Sequence, residues 1–185
     1  ILNPRLTEHP VSAFEYAEIE RSASWVGRTV AAMQVWDLLR AVEWAVGEEK
    51  IAAPSIALYG KGEMCVLALY AGLFDERITQ VILNDAPASH WQGPVLLNVL
   101  RITDTAEVAG AFAPRRLASL TEFPRSFEYT RKLYKLRGAA SQFVRAGSLP
   151  GALEVWNHPR TASPEPATTG TGIQEQPTRQ RPEKR

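Results

Sequence analysis

The residues best placed to do chemistry form a short turn between a predicted strand and a predicted helix. The turn, Gly60 to Met64, has the sequence GKGEM and follows an apolar run. Two kinds of site use such a turn. A nucleophile elbow, G-x-S-x-G, presents a serine above a sheet, and a dinucleotide site, G-x-G-x-x-G, binds a pyrophosphate. A tight connection without any site is the third interpretation.

The dinucleotide pattern is matched weakly. Gly60 and Gly62 supply its first two glycines, but Cys65 replaces the third. Asp85 lies near the position from which an acid would bind the ribose. Glu63 would place a carboxylate at the N-terminus of the helix, where it would repel a pyrophosphate. We therefore expect no cofactor.

The nucleophile elbow is matched in its backbone but not in its chemistry. Gly60 is the first glycine of the pattern, Gly62 occupies the nucleophile position, and Met64 replaces the last glycine. Glycine accepts positive φ without steric cost, but it carries no hydroxyl that could attack a substrate. Cys65 is a poor substitute because burial in an apolar helix raises the pKa of a thiol. It is predicted to be a core residue.

A second group of polar and aromatic residues follows the next predicted strand: Asp85, Ser89, His90 and Trp91. Ligands of open α/β sheets bind beyond the carboxyl ends of the strands, so these four residues and Glu63 are candidate binding residues. Adjacent side chains rarely point at one another, which disfavours a direct Ser89–His90 dyad. The favoured interpretation is that Ser89 turns the loop and His90 makes a structural hydrogen bond. An exposed Trp91 would suit stacking on a sugar ring.

The composition argues against several classes of function. The chain has 185 residues, of which 45% are hydrophobic and 22% charged, with a formal net charge of +1. These values are typical of a globular domain and give no reason to expect nucleic acid or a membrane as partner. One cysteine and three widely spaced histidines predict no metal site. No apolar run reaches the roughly 18 to 20 residues of a membrane span. Because the sequence starts at Ile1 without a methionine, localisation stays open.

The order of the predicted elements indicates an α/β fold. A capping box at Ser12 and Glu15 predicts a first helix, and apolar spacing predicts a second over residues 30–46. Short strands without strict alternation, separated by helices, are typical of a parallel sheet covered on both faces. The predicted strands are 55–59, 79–83, 116–120 and 142–146, and another helix covers 64–74. Asp104 and Glu107 are predicted to cap a further helix, and Ser126 is predicted to cap a helix that carries Tyr129, Leu133 and Leu136 on one side and ends at Gly138.

The sequence divides into two segments. Residues 158–185 are rich in Pro, Thr, Glu, Gln and Arg and contain one large aliphatic residue, Ile173. Such a segment cannot bury enough apolar area to offset the entropy of ordering it. We predict a partial domain over residues 1–157 and a disordered tail over residues 158–185.

Six pieces in the same order carry a family resemblance. They are MQVWDLLR (33–40), IALYG (56–60), ALYA (68–71), DERI (75–78), DAPASH (85–90) and APRRL (113–117). From Arg28 to about Val144 the sequence resembles bacterial α/β hydrolases of the acetyl-xylan-esterase and dienelactone-hydrolase-like group. The resemblance implies a mostly parallel α/β-hydrolase sheet with flanking helices. Because residues 1–54 contain no predicted strand, we expect only the C-terminal half of that fold, with an upstream segment or a second copy completing the sheet.

Active proteins of that family use a serine, an acid and a histidine, in this chain order, to hydrolyse esters. This chain departs from the pattern at each position. Gly62 stands where the serine is expected, Glu122 is the sole carboxylate directly after the third strand, and His158 is the first histidine after the fourth. The resemblance assigns the backbone N–H of Glu63 to the oxyanion hole.

Two functions follow as expectations. The first is an esterase-like protein of carbohydrate or small-ester type, weakly active or inactive because its elbow has lost the nucleophile. The alternative is a noncatalytic module that binds a ligand or a partner through the loop from Asp85 to Trp91. The sequence leaves open whether the chain is an enzyme.

Overall fold

The computed structural model describes residues 2–7, 11–47 and 56–154. A four-stranded sheet lies at its centre, and all its strands run parallel in the order β1-β2-β3-β4. Parallel neighbours require a crossover segment, which the helices supply. The α/β class predicted from the sequence is confirmed. The strands are β1 (Ile56–Lys61), β2 (Ile78–Asn84), β3 (Arg116–Ser119) and β4 (Phe143–Arg145).

Helices flank this sheet and begin close to the positions that the sequence predicts. Four 3-10 turns, at His90–Gln92, Val99–Arg101, Arg125–Phe127 and Ala140–Gln142, complete the described elements. The α-helices are α1 (Ala13–Trp25), α2 (Val30–Gly47), α3 (Met64–Phe74), α4 (Thr105–Ala111), α5 (Glu128–Leu136) and α6 (Leu149–Glu154).

The main core lies on one face of the sheet, around α3. This helix packs against β1 and β2 on one side and against α2 and α4 on the others. Being enclosed on all sides explains why its sequence is apolar all round and includes Leu67 and Leu69, which are fully buried. Burying each such leucine contributes roughly 1.5 to 3 kcal/mol. The packing fixes the start of α3, and hence the Gly60–Met64 turn, against the sheet.

The opposite face carries a smaller core. Among the described residues, Ile82 of β2 and Ala118 of β3 pack against Ala152 of α6. The Gln80 side chain fixes this helix by donating a hydrogen bond to the Ala152 carbonyl at 3.0 Å. Tyr59 of β1 is the register partner of Ile82 and lies on the same face, but 48% of it is exposed. Within the described residues, this face is therefore open at its β1 end.

Local hydrogen bonds confirm two predicted helix starts. The Glu15 N–H donates to the Ser12 hydroxyl at 3.2 Å, and the Ser12 N–H donates to the Glu15 carboxylate at 2.9 Å. Asp104 and Glu107 form the same reciprocal arrangement at the start of α4. Capping boxes of this kind satisfy two N–H groups that a helix cannot pair internally.

The prediction for α5 is wrong in two respects. Ser126 does not cap the helix: it lies inside a 3-10 turn, and its hydroxyl donates to the Ala88 carbonyl at 2.7 Å. The buried side of α5 is formed by Thr130 and Tyr134, whereas Tyr129 and Leu136 are exposed. The reason is tertiary, because Thr130 and Tyr134 donate hydrogen bonds to carbonyl groups of neighbouring segments, Ala106 and Arg115.

The outer edge of β1 is unpaired within the described part of the chain, because β1 pairs only with β2. Its apolar residues Ile56 and Leu58 are half-buried at this edge. No helix among the described residues is long and apolar enough to cross a membrane. The predicted tail at 158–185 lies outside the described residues, so its disorder and the domain boundary stay predictions.

Candidate active site

The turn after β1 has the backbone of a nucleophile elbow. The Gly62 N–H donates to the Asn84 carbonyl at 2.9 Å, which extends the hydrogen bonding between β1 and β2 one residue beyond the end of β1. Gly62 then takes φ of +58°, and the Cys65 N–H donates back to the Gly62 carbonyl at 3.0 Å. Strand, left-handed residue and helix therefore succeed one another within four residues, from Lys61 to Met64.

The two glycines of the turn serve different purposes. A Cβ on Gly60 would lie 2.6 Å from the Met64 carbonyl oxygen and 2.7 Å from the Cys65 nitrogen, so α3 approaches β1 too closely for any side chain. A Cβ on Gly62 would meet no described atom within 4 Å. The first glycine is thus required by packing, whereas the second occupies an open position at which only the positive φ favours glycine.

Glu63 and α1 form an acidic rim beside the turn. Burial and the nearby charge of Glu63 together raise the pKa of Glu20, and burial with the same two carboxylates raises the pKa of Tyr16. One oxygen of the Glu20 carboxylate is buried and has no hydrogen-bond partner among the described residues. Both effects indicate that Glu20 and Tyr16 of α1 lie near the Glu63 carboxylate.

Asp85 is held at the end of β2 in a left-handed conformation, with φ of +59°. Its N–H donates to the Thr121 hydroxyl at 2.9 Å, which ties the end of β2 to the segment after β3. The Asp85 side chain is exposed. The ends of three neighbouring strands therefore lie side by side at one edge of the sheet. Gly62 follows β1, Asp85 follows β2, and Thr121 follows β3.

The acid candidate forms an ion pair, and the base candidate is not among the described residues. Glu122 forms an ion pair with Arg145 of β4, and 77% of its side chain is exposed. Neighbouring strands are about 4.8 Å apart, so the backbone at Glu122 lies roughly 10 Å from Gly62. His158 lies outside the described residues. Its role as base stays a prediction.

His90 is at the centre of a buried network. Asp104 Oδ1 accepts hydrogen bonds from the His90 N–H at 2.7 Å and from the ring nitrogen Nδ1 at 2.9 Å. Because an ionised carboxylate only accepts, Nδ1 carries the ring proton and Nε2 accepts from the Tyr70 hydroxyl, 3.0 Å away. The His90 side chain is 1% exposed. His90 therefore makes structural hydrogen bonds, as the sequence favours, but the sequence did not indicate Asp104 and Tyr70 as its partners.

The network sets the charge states of its members. Burial raises the pKa of Asp104, but hydrogen bonds from the Ser89 side chain, from His90 and from the Thr105 N–H outweigh burial and hold that pKa well below its usual range. Burial, followed by the Asp104 charge, raises the pKa of Tyr70 to about 12. The Tyr70 hydroxyl is therefore protonated at neutral pH and can donate to the hydrogen bond with His90.

Ser89 and Trp91 flank this histidine in different environments. Ser89 caps the 3-10 turn at His90–Gln92 by accepting a hydrogen bond from the Trp91 N–H at 3.2 Å. Trp91 is 84% exposed. The loop thus buries its histidine and presents its indole to solvent.

No protein-family model and no curated protein matches the chain. A solved structure assigned as an acetyl xylan esterase of Bacteroides fragilis superimposes with a TM-score of 0.64 at 15% sequence identity, over 76% of this chain and 42% of that one. The fold is that of an α/β hydrolase. A glucuronoyl esterase of Solibacter usitatus matches with a TM-score of 0.46 at 16% identity, over 60% and 38% of the two chains. The chain therefore spans less than half the length of either protein.

The α/β-hydrolase fold confirms the resemblance predicted from the sequence, at the level of architecture. The Gly60–Met64 turn joins the first strand of the described sheet to α3, and its role as an elbow stays a prediction. Cys65, which follows this turn, is fully buried, and its thiol donates to the Gly60 carbonyl at 3.1 Å. Burial raises the pKa of Cys65 to about 11, so it is a core residue and not a nucleophile.

The site contains no evident place for a metal ion. Among residues 2–7, 11–47 and 56–154, no group of three His, Cys, Asp or Glu side chains converges. The polar groups that sequence reasoning missed are Tyr70, Asp104 and Thr121, which lie far along the chain from the residues that they contact. Of these three, only Asp104 had a local sequence signal, which was its capping box with Glu107.

Proposed function

We propose that this chain is an esterase-like protein of carbohydrate or small-ester type whose elbow has lost its nucleophile, so that ester hydrolysis is very slow or absent. The observation that carries the proposal is Gly62. It occupies the nucleophile position of a strand–turn–helix elbow, with φ of +58° and no side chain. Burial raises the pKa of the Cys65 thiol to about 11, so it is protonated at neutral pH and does not replace the missing hydroxyl.

The expected loss of rate is large. In serine hydrolases, removing the nucleophile lowers kcat about 10⁶-fold, and the remaining binding and oxyanion groups still give roughly 10³-fold to 10⁴-fold over water. In this chain the Glu63 N–H makes no hydrogen bond within the described residues, which leaves it free to serve as the oxyanion donor that the proposal assigns to it. Any residual activity would therefore come from this donor and from substrate binding.

The test is Gly62→Ser, measured with p-nitrophenyl acetate. A serine side chain has room, because no described atom lies within 4 Å of the added Cβ. We expect the wild-type chain to hydrolyse the ester no faster than Gly62→Ala, and Gly62→Ser to release an early burst of p-nitrophenol from acylation. Gly62→Ala is the matched control, since it carries the same backbone strain without a hydroxyl.

Each outcome decides something. Wild-type turnover in the ordinary enzyme range, above about 1 per second, would contradict the proposal. A Gly62→Ser variant that behaves like Gly62→Ala would show that the acid and base are absent as well. That result would favour the second candidate.

The second candidate is a noncatalytic module that recognises a ligand or partner through the loop after β2. The exposure of Trp91 favours it, because a large aromatic side chain in solvent next to a rigid buried network is suited to stacking. Under this candidate, binding is lost in Trp91→Ala and is unaffected by substitutions at Gly62. Under the esterase-like candidate, ester hydrolysis depends on the residue at position 62 and is unaffected by Trp91→Ala.

A further inference from the structure

The loop that begins within the first 3-10 turn is closed at its base. We call residues 91–103 the clasped loop, because both the N–H and the ring of His90, directly before it, are hydrogen-bonded to Asp104, directly after it. Each end is also capped, by Ser89 on one side and by the capping box of α4 on the other. Compact loops whose ends meet are frequently functional.

The clasped loop presents apolar side chains to solvent. Trp91 and Ile102 are 84% and 86% exposed, and three further residues between them are 40% exposed or more. Because the loop is held at its base, the exposure of these groups is not the result of an unfolded loop. A cluster of exposed apolar side chains on an ordered protein marks an interaction site. The three further residues are Val95, Leu97 and Leu100.

A groove of about 290 Å³ runs through the clasped loop. Apolar residues line most of it, and Arg101 and Asn98 are its polar groups apart from the buried histidine at its base. A Cβ on Gly93, which also lines the groove, would lie 3.5 Å from the Val66 side chain. Val66 belongs to the first turn of α3, so the groove borders the elbow.

The volume and the charge of the groove restrict its occupant. Its size lies at the lower limit of ligand pockets, which suits one ring with a short chain and is too small for a helix. The sequence of the clasped loop contains no Asp or Glu and a single cation, Arg101. A guanidinium in a mostly apolar groove selects a carboxylate, which it binds through charge-assisted hydrogen bonds.

We propose that the clasped loop binds a small carboxylic acid with an apolar aromatic body. The ring stacks on Trp91, and the carboxylate pairs with Arg101. This binding requires no reaction at Gly62. It therefore stands or falls independently of ester hydrolysis, and the two proposals are tested by different measurements.

The probe is 3-phenylpropionate, followed through the indole N–H resonances of the full chain in ¹⁵N-labelled form. The Trp91 signal, assigned by its loss in Trp91→Ala, is expected to shift with a Kd on the order of 1 mM. Arg101→Gln should weaken binding about tenfold, the loss expected for one charge-assisted hydrogen bond. The neutral probe 3-phenylpropanamide should bind the wild type about tenfold more weakly and should not distinguish it from Arg101→Gln.

Two variants outside the groove are matched controls. Trp25→Ala removes an indole that is 82% exposed on α1, and Arg137→Gln removes an exposed guanidinium after α5. Both should bind 3-phenylpropionate like the wild type. All these residues are exposed, so the folded state should tolerate every substitution, which circular dichroism would verify.

Three results would overturn the proposal. The first is a Trp91 signal that does not move at about 20 mM probe. The second is an affinity that Arg101→Gln and Arg137→Gln leave equally unchanged. The third is a dimer in sedimentation velocity that Ile102→Ser dissociates, because the apolar side chains would then serve a second copy of the chain.

Discussion

Gly60→Ala tests whether α3 meets β1 as closely as the elbow requires. The added methyl would lie 2.6 Å from the Met64 carbonyl oxygen and 2.7 Å from the Cys65 nitrogen. Ordinary contacts of this kind are longer by roughly 0.5 to 1 Å, so the start of α3 must retreat by that distance. Backbone atoms cannot move aside as a flexible side chain can, and the movement also weakens the Cys65 to Gly62 hydrogen bond.

The expected cost follows from these two effects. Overpacking costs about 1 to 3 kcal/mol, and a weakened hydrogen bond adds up to about 1 kcal/mol. We expect Gly60→Ala to lower the free energy of unfolding by about 3 kcal/mol. Gly62→Ala is the matched control: it meets no described atom within 4 Å, so it should cost only the strain of positive φ, roughly 1 kcal/mol.

Thermal unfolding followed by circular dichroism separates the two variants. In a chain of this size, 1 kcal/mol corresponds to about 2 to 4 °C in Tm. Gly60→Ala should therefore melt about 4 to 8 °C below Gly62→Ala. Equal Tm values, or the reverse order, would refute the close approach of α3 and with it the assignment of the turn as an elbow.

Two predictions concern pH. The pKa of Asp104 is depressed in the folded state, so its ionised form contributes stability that is present above the unfolded pKa of about 3.9 and is lost as pH falls through the folded pKa. The destabilisation caused by Asp104→Asn, measured by urea denaturation, should accordingly be largest at neutral pH and shrink below about pH 4; a penalty independent of pH would show that the charge contributes nothing. The pKa of Glu20 is raised instead, so its stabilising protonated form is lost as pH rises through the folded pKa. Glu20→Gln should raise the free energy of unfolding at pH 7 by roughly 0.5 kcal/mol and have little effect near pH 4, and a destabilised variant at pH 7 would contradict the raised pKa.

Local signals explain why much of the fold could be predicted from the sequence. The capping box of Ser12 and Glu15 lies within four residues, and the apolar composition of α3 reflects burial on all sides. Strand positions followed from short apolar runs bounded by turn residues. Their parallel order then followed from the helices between them.

The errors and omissions arise where tertiary contacts decide. Ser126 has the chemistry of a cap, yet its hydroxyl binds a carbonyl 38 residues away along the chain. No residue near His90 in the sequence indicates that Tyr70 is its partner, because this contact depends on the packing of α3 against the loop. The pairing of Glu122 with Arg145 likewise requires β3 and β4 to be neighbours. Sequence reasoning therefore located the turn and the loop but could not assign their contacts.

The unpaired edge of β1 has a consequence for how this protein can be handled and reassembled. Within the described residues, the outer N–H and C=O groups of β1 have no strand partner and can pair with an added extended segment, and a helix can cover the half-exposed Tyr59 on the adjoining face. A separately produced polypeptide with a strand and a helix could thus complement this chain in trans, as in a split reporter. Without such a partner, the same edge is the site from which we expect aggregation to start.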